Sequence, residues 1–105
     1  MPLRLRSCIL RDKVLFTRHA REEMESEESG LISEQEVCEA VLLGKIIEDY
    51  KDDEPYPSCL VLGFTPKGRP LHVVCACAED SDTAIVITVY QPDPGRWIDW
   101  EGRRK

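Results

Sequence analysis

Two histidines, a tyrosine and three cations carry the chemistry that this 105-residue chain can offer. His19 follows Arg18, two residues after a threonine that can cap a helix. Exposed backbone N–H groups at such a helix start attract anions, and Arg21 lies on the same turn. His72 sits mid-strand between Leu71 and Val73, with Lys67 and Arg69 at the preceding turn and Tyr90 on the next strand. Cleavage of a phosphodiester by its own 2′-hydroxyl needs a base, an acid for the leaving oxygen and cations for the phosphorane. His19, His72 and Tyr90 are the candidate catalytic groups on that scheme, and Arg18, Lys67 and Arg69 the candidate phosphate contacts. A structural reading stands beside each histidine. His19 can tie its helix to the sheet, and His72 can be a buried ring bonded to a tyrosine or a backbone group.

The cysteines, at positions 8, 38, 59, 75 and 77, lie inside apolar runs. Buried free thiols behave as small hydrophobes, and paired Cys-x2-4-Cys knuckles of the zinc type are missing from the spacing. Structural thiols are therefore expected, with no metal and no cofactor; a metal or redox role for Cys75 and Cys77 with Cys59 is the minor alternative. Glu48, Asp49, Asp52, Asp53 and Glu54 lack the alternation and central glycine of a calcium loop. They read as a solvated loop or a contact for a basic partner.

The elements that must position these groups follow from periodicity. Residues 2–12 favour a short helix over a strand, because Leu5, Cys8 and Ile9 fall at helical spacing. Val14 to Phe16 reads as an extended link. Thr17 caps a helix from about Arg18 to Glu28 with Phe16, Ala20 and Met24 as its stripe. Its glutamates crowd the C-terminal half, where the macrodipole disfavours them. Ser33-Glu34-Gln35-Glu36 is a capping box with Ile32 and Val37 as a hydrophobic staple, and Gly44 ends that helix.

From Lys45 the period becomes two. Strands are expected over Lys45–Tyr50, Cys59–Thr65, Leu71–Ala78 and Thr83–Tyr90, the last three as an antiparallel meander. Pro66-Lys67-Gly68 supplies the first hairpin turn. Leu60, Leu62, Phe64, Leu71, Val73, Ile85, Ile87 and Val89 are assigned to the face under the helices, leaving His72, Ala76, Thr88 and Tyr90 on a more open face. Pro92 to Gly95 ends the sheet, Trp97 and Trp100 begin a turn that packs back, and residues 102–105 fray. The expected fold is α+β, with N-terminal helices packed on one face of a four-stranded, mostly antiparallel sheet. It forms a single domain over 1–105: helical at 2–44, sheet at 45–90 and tail at 91–105.

Charge is divided unevenly. The net −6 comprises +5 over residues 1–21, −11 over 22–54 and a balanced remainder. The total opposes a nucleic-acid role, whereas the acidic segment suits docking to a basic partner. No apolar run reaches the roughly 20 residues of a membrane helix, and no signal-peptide pattern opens the chain. A cytoplasmic protein is the expectation.

Five segments resemble, in order, the bacterial domain of unknown function 4258 family. They are Phe16-Thr17-Arg18-His19-Ala20 with Met24; Gly44-Lys45-Ile46-Ile47-Glu48-Asp49-Tyr50; and Tyr56-Pro57-Ser58-Cys59-Leu60-Val61-Leu62-Gly63. The others are Gly68-Arg69-Pro70-Leu71-His72-Val73-Val74 and Ile87-Thr88-Val89-Tyr90-Gln91-Pro92-Asp93-Pro94. Glu23 departs from the pattern, since relatives often carry Arg before the methionine. Members of the family look like compact relatives of the RelE/ParE/BrnT toxins, with helices packed on an antiparallel sheet. The resemblance implies a toxin-antitoxin-type RNA endonuclease, with RNA or the ribosome as target and a zinc-ribbon or other antitoxin-like protein as partner. The alternative is a non-catalytic interaction module with an acidic docking surface.

Overall fold

Leu5, Cys8 and Ile9 are buried along one side of α1, Leu3–Leu10, as their helical spacing requires. In the computed structural model, which describes residues 3–103, Asp12 takes a left-handed conformation (φ 60°) just past this helix. The chain then enters β1, Val14–Phe16. This segment is a strand and not the expected link: Val14, Leu15 and Phe16 pair in parallel with Ala84, Ile85 and Val86. Three residues are too few to display an alternation, and the partner strand lies at the far end of the chain. Parallel pairing of this kind leaves no local mark on the sequence.

Helix α2, Arg18–Ser26, starts where expected, with Ala20 N–H donating to the Thr17 hydroxyl at 3.1 Å. Helix α3, Glu34–Leu42, carries the full capping box, with Ser33 N–H donating to Glu36 and Glu36 N–H to the Ser33 hydroxyl. Four strands follow: β2, Lys45–Tyr50; β3, Ser58–Phe64; β4, Pro70–Ala78; and β5, Thr83–Tyr90. The order is β1-β5-β4-β3-β2, so the α+β class stands while the sheet is five-stranded and mixed. The β3-β4-β5 meander is antiparallel throughout, and Gly68 (φ 85°) closes its first turn, with Gly68 N–H donating to Thr65 C=O.

The face assignment needs correction on two strands. In β3 it is Cys59 and Val61 that join the core beneath the helices, with Gly63 against Ala40 of α3. Leu60 and Leu62 are buried on the opposite face. Both alternates of this strand are apolar, so period two could not choose between them. In β5 the register shifts between Val74 and Cys75, which pair with Thr88 and Val86 and leave Ile87 as the extra residue. That bulge puts Ala84, Val86 and Val89 under the helices, in place of Ile85 and Ile87. Leu71, Val73 and Val89 lie in the core as expected. A second irregularity in β2, at Ile47, brings Lys45, Glu48 and Tyr50 to the face away from the helices.

The end of the chain is also more ordered than expected. Gly102 and Arg103 do not fray. They form β7, Gly102–Arg103, paired with β6, Trp97–Ile98; Pro2, Arg104 and Lys105, for which a helix start and fraying are expected, lie outside the described residues. Trp97 is buried, and this small hairpin covers part of the face that the alternation left open. No described helix is long and apolar enough to cross a membrane.

Gly63 fixes how closely α3 approaches the sheet. A Cβ there would sit 2.5 Å from the Ala40 carbonyl carbon and closer still to its oxygen, and backbone cannot rotate away as a side chain can. Gly63→Ala is expected to destabilise the fold by about 3 kcal/mol or more, read as a lower denaturation midpoint in urea. An unchanged midpoint would show that α3 is free to shift.

Candidate functional site

The candidate residues fall into three places. The first is the start of α2. His19 is 64% exposed, and its Nε2 lies 3.2 Å from Glu23 Oε1. The same oxygen accepts Val89 N–H at 3.1 Å. An exposed imidazole is thus oriented by a carboxylate that the backbone itself holds. Arg18 beside it donates to Glu22 at 3.2 Å, in the open.

The second place is the face of the sheet away from the helices. His72 is fully buried. Its Nε2 lies 2.5 Å from the Trp100 carbonyl oxygen and its Nδ1 lies 3.1 Å from the Tyr90 hydroxyl. A carbonyl only accepts, so Nε2 carries the proton and Nδ1 accepts from the Tyr90 O–H. Burial pushes the His72 imidazole below its ordinary value, which favours this neutral form. The ring also packs edge-on against Trp97, with centroids 4.3 Å apart.

Beside the histidine, Arg103 donates to both oxygens of Glu48, at 2.9 and 3.0 Å, and lies over the Trp97 ring. Tyr50 O–H donates to Glu48 at 2.5 Å. Glu48 is held below the usual carboxylate range, first by the Arg103 hydrogen bonds. The Tyr50 phenol is pushed up to about 12 by burial and by Glu48. Lys45 pairs with Glu101 at the hairpin's tip. These groups clasp the terminal hairpin to the sheet. Both His72 ring nitrogens are engaged, so in this arrangement neither can take a proton from a substrate.

The third place is the β3–β4 turn. Lys67 is exposed there. The Arg69 guanidinium, by contrast, donates to Gln91 Oε1 at 2.7 Å, to Leu31 C=O at 3.0 Å and to Gly30 C=O. It fastens the loop before α3 to the sheet through three of its five donors. The structure therefore brings His72 and Tyr90 together; among the described residues no hydrogen bond or ion pair joins either to Arg18, His19, Lys67 or Arg69.

Several participants escaped sequence reasoning. Glu23, Glu48 and Arg103 carried no motif, although the two tryptophans near the chain end did signal that it packs back. Also missed were two adjoining grooves of about 480 and 500 Å3, which share Glu39, Thr65 and Pro66. Leu31, Leu43 and Phe64 line them and are 65%, 83% and 41% exposed. They are three of the six large hydrophobic side chains exposed among the described residues.

Three helices against a mixed five-stranded sheet, with a terminal hairpin on the other face, define an α+β domain. The family model described as "Domain of unknown function (DUF4258)" matches residues 16–91, and the chain belongs to that family. The match leaves α1 and the terminal hairpin outside it. No curated protein and no solved structure matches the chain.

The clasp makes a pH prediction. The pKa of His72 is lower in the folded chain than its unfolded value near 6.5, so the unfolded chain takes up the proton first. The stability contributed by neutral His72 is complete above about pH 6.5. It is lost as pH falls through the lowered folded pKa, at no more than about 1.4 kcal/mol per pH unit. Urea titrations should show this slope setting in before the carboxylates titrate, and His72→Gln should flatten it. Equal slopes in both proteins would remove His72 from the clasp.

Proposed function

We propose that this protein is an interaction module that receives an apolar segment of a partner protein in the groove between α3 and the β3–β4 turn. The observation that carries this reading is the gathering of Leu31, Leu43 and Phe64, all exposed, along two adjoining grooves. Large apolar side chains clustered at a concave surface characterise binding surfaces. An antitoxin-like protein, zinc-ribbon or otherwise, is the partner class that the family's resemblance to toxins suggests.

The acidic version of docking is modified. Glu22, Glu23, Glu27, Glu34, Glu36, Glu48 and Asp53 are all engaged within the chain, so apolar contact leads and charge assists. Leu43→Glu combined with Phe64→Glu is expected to abolish co-purification with the protein encoded beside this one, with thermal stability kept. The wild-type complex should persist at high salt, because apolar burial is not screened. Failure of the wild type to co-purify, retention by the double variant, or dissociation in salt would each overturn this reading.

A second reading is favoured by the His19–Glu23 pair. An exposed histidine oriented by a carboxylate, with Arg18 adjacent, is the beginning of a metal-independent ribonuclease site in which His19 acts as base and Arg18 contacts phosphate. Tyr90 and His72 would contribute only after the terminal hairpin moved. Purified protein incubated with RNA in chelator, with and without ribosomes, tests this. Cleavage should fall about 100-fold or more in His19→Ala. Absence of cleavage by the wild type, or undiminished cleavage by the variant, would dismiss the site.

A further inference from the structure

Four of the five cysteines meet in two pairs on one face of the sheet. Cys8, fully buried on α1, has its sulfur 3.9 Å from that of Cys77 on β4. Cys59 and Cys75 face each other directly across β3 and β4, a register whose Cα separation of about 4.5–5.5 Å lies within disulfide range. Cys38 belongs to neither pair. A cavity of about 250 Å3 is lined by residues that include Arg4, Ile46, Pro57 and three of these cysteines, Cys59, Cys75 and Cys77. No group of three His, Cys, Asp or Glu among the described residues is placed to hold a metal ion. The arrangement is one of thiol pairs and not of a ligand set.

We propose that Cys77 and Cys8 form an oxidisable dithiol, reached through this cavity by hydrogen peroxide, whose disulfide fastens α1 to the sheet. Cys77 is the partly exposed member, on the cavity wall with Arg4, and Cys8 lies buried behind it. The Cys77 sulfur attacks one peroxide oxygen. A sulfur–oxygen bond forms, the oxygen–oxygen bond breaks, and the departing oxygen leaves as water with the thiol's proton. Cys8 then attacks the sulfenic sulfur of Cys77. The sulfur–sulfur bond forms, the sulfur–oxygen bond breaks, and that hydroxyl leaves as a second water with the Cys8 proton. Two thiols have lost two electrons and one peroxide has gained them.

The sulfurs must close from 3.9 Å to about 2.05 Å. Because Cys8 and Cys77 are far apart in sequence, the bond would restrict the unfolded chain strongly. The inference is independent of the groove and of His19.

The test treats the full chain with hydrogen peroxide and maps its disulfides by mass spectrometry, with thermal melts before and after addition of dithiothreitol. The expected product is a Cys8–Cys77 bond, reversible by reductant, with a raised melting temperature. Cys77→Ser, at a partly exposed position, should fold, lose the bond and lose the part of the rise that the bond gives; Cys8→Ala should do the same. A Cys59–Cys75 bond formed as well is consistent with the facing register and leaves the pairing of Cys8 with Cys77 as the deciding observation. Cys77 joined to Cys59 or Cys75, oxidation of Cys77 to the sulfinic acid with Cys8 still free, or a thiol at Cys8 that never reacts would overturn the proposal.

Discussion

Strand β5 is longer than the partner on its outer side, and much of the molecule answers that mismatch. β1 pairs only with Ala84 to Val86, so the outer edge from Ile87 to Gln91 would present unpaired backbone groups beneath a helix, where each costs on the order of 1–3 kcal/mol. α2 supplies the missing partners from its side chains. Thr17 O–H donates to Ile87 C=O, Glu23 accepts from Val89 N–H, and Glu27 accepts from Gln91 N–H. Glutamates late in α2 work against its dipole, and their placement makes sense only against this edge. An arginine at position 23 would have no acceptor to offer Val89. The same requirement fixes His19, which bonds to the glutamate that serves β5.

Once α2 lies along β5, the charges follow. The basic N-terminal stretch meets the acidic β4–β5 turn: Arg4 and Arg11 pair with Asp82, and Lys13 donates to Ser81 C=O. Arg21 reaches across to Glu34. Within the +5 segment, Arg18 and Arg21 pair with the −11 segment through Glu22 and Glu34, whereas Arg4, Arg11 and Lys13 meet the turn at residues 81–82. Exposed pairs of this kind contribute little stability each.

Legibility in the sequence tracked locality. The capping box at Ser33 and Glu36, the Thr17 cap and the Pro66–Gly68 turn are all written within a few residues, and each was readable. β1 was not, because its reason for being a strand is Ala84 to Val86. The face of β3 was not, because Leu60 and Val61 are equally apolar and the choice rests on Gly63 admitting α3. The bulges at Ile47 and Ile87 reversed parity without a glycine to announce them. The same limit applied to the sites. His72 and Tyr90 could be placed together from strand pairing, yet the carbonyl that engages His72 Nε2 comes from Trp100 near the chain end, as does Arg103, which shares Glu48 with Tyr50. Residue types alone could not separate an engaged histidine from a free one.

The terminal hairpin shows what holds such a clasp shut. Its turn places Asp99 at φ 49° and Trp100 at φ 67°, two successive left-handed residues in the three-residue connection between Ile98 and its partner Gly102. A tryptophan there costs about 1–2 kcal/mol, and nothing within the turn recovers it. Recovery comes from outside. His72 binds the Trp100 carbonyl, Glu48 binds Arg103, and Lys45 binds Glu101. His72 sits on β4 and the other two on β2, where Lys45 and Glu48 share a face only because of the bulge at Ile47. The seating of the hairpin thus depends on β2 and β4 lying on either side of β3, and the covering of His72 depends on that seating in turn. That dependence reconciles the two readings of this residue: its ring is a fully satisfied structural donor while the hairpin is seated, and it regains a free nitrogen only when the strained turn lets go.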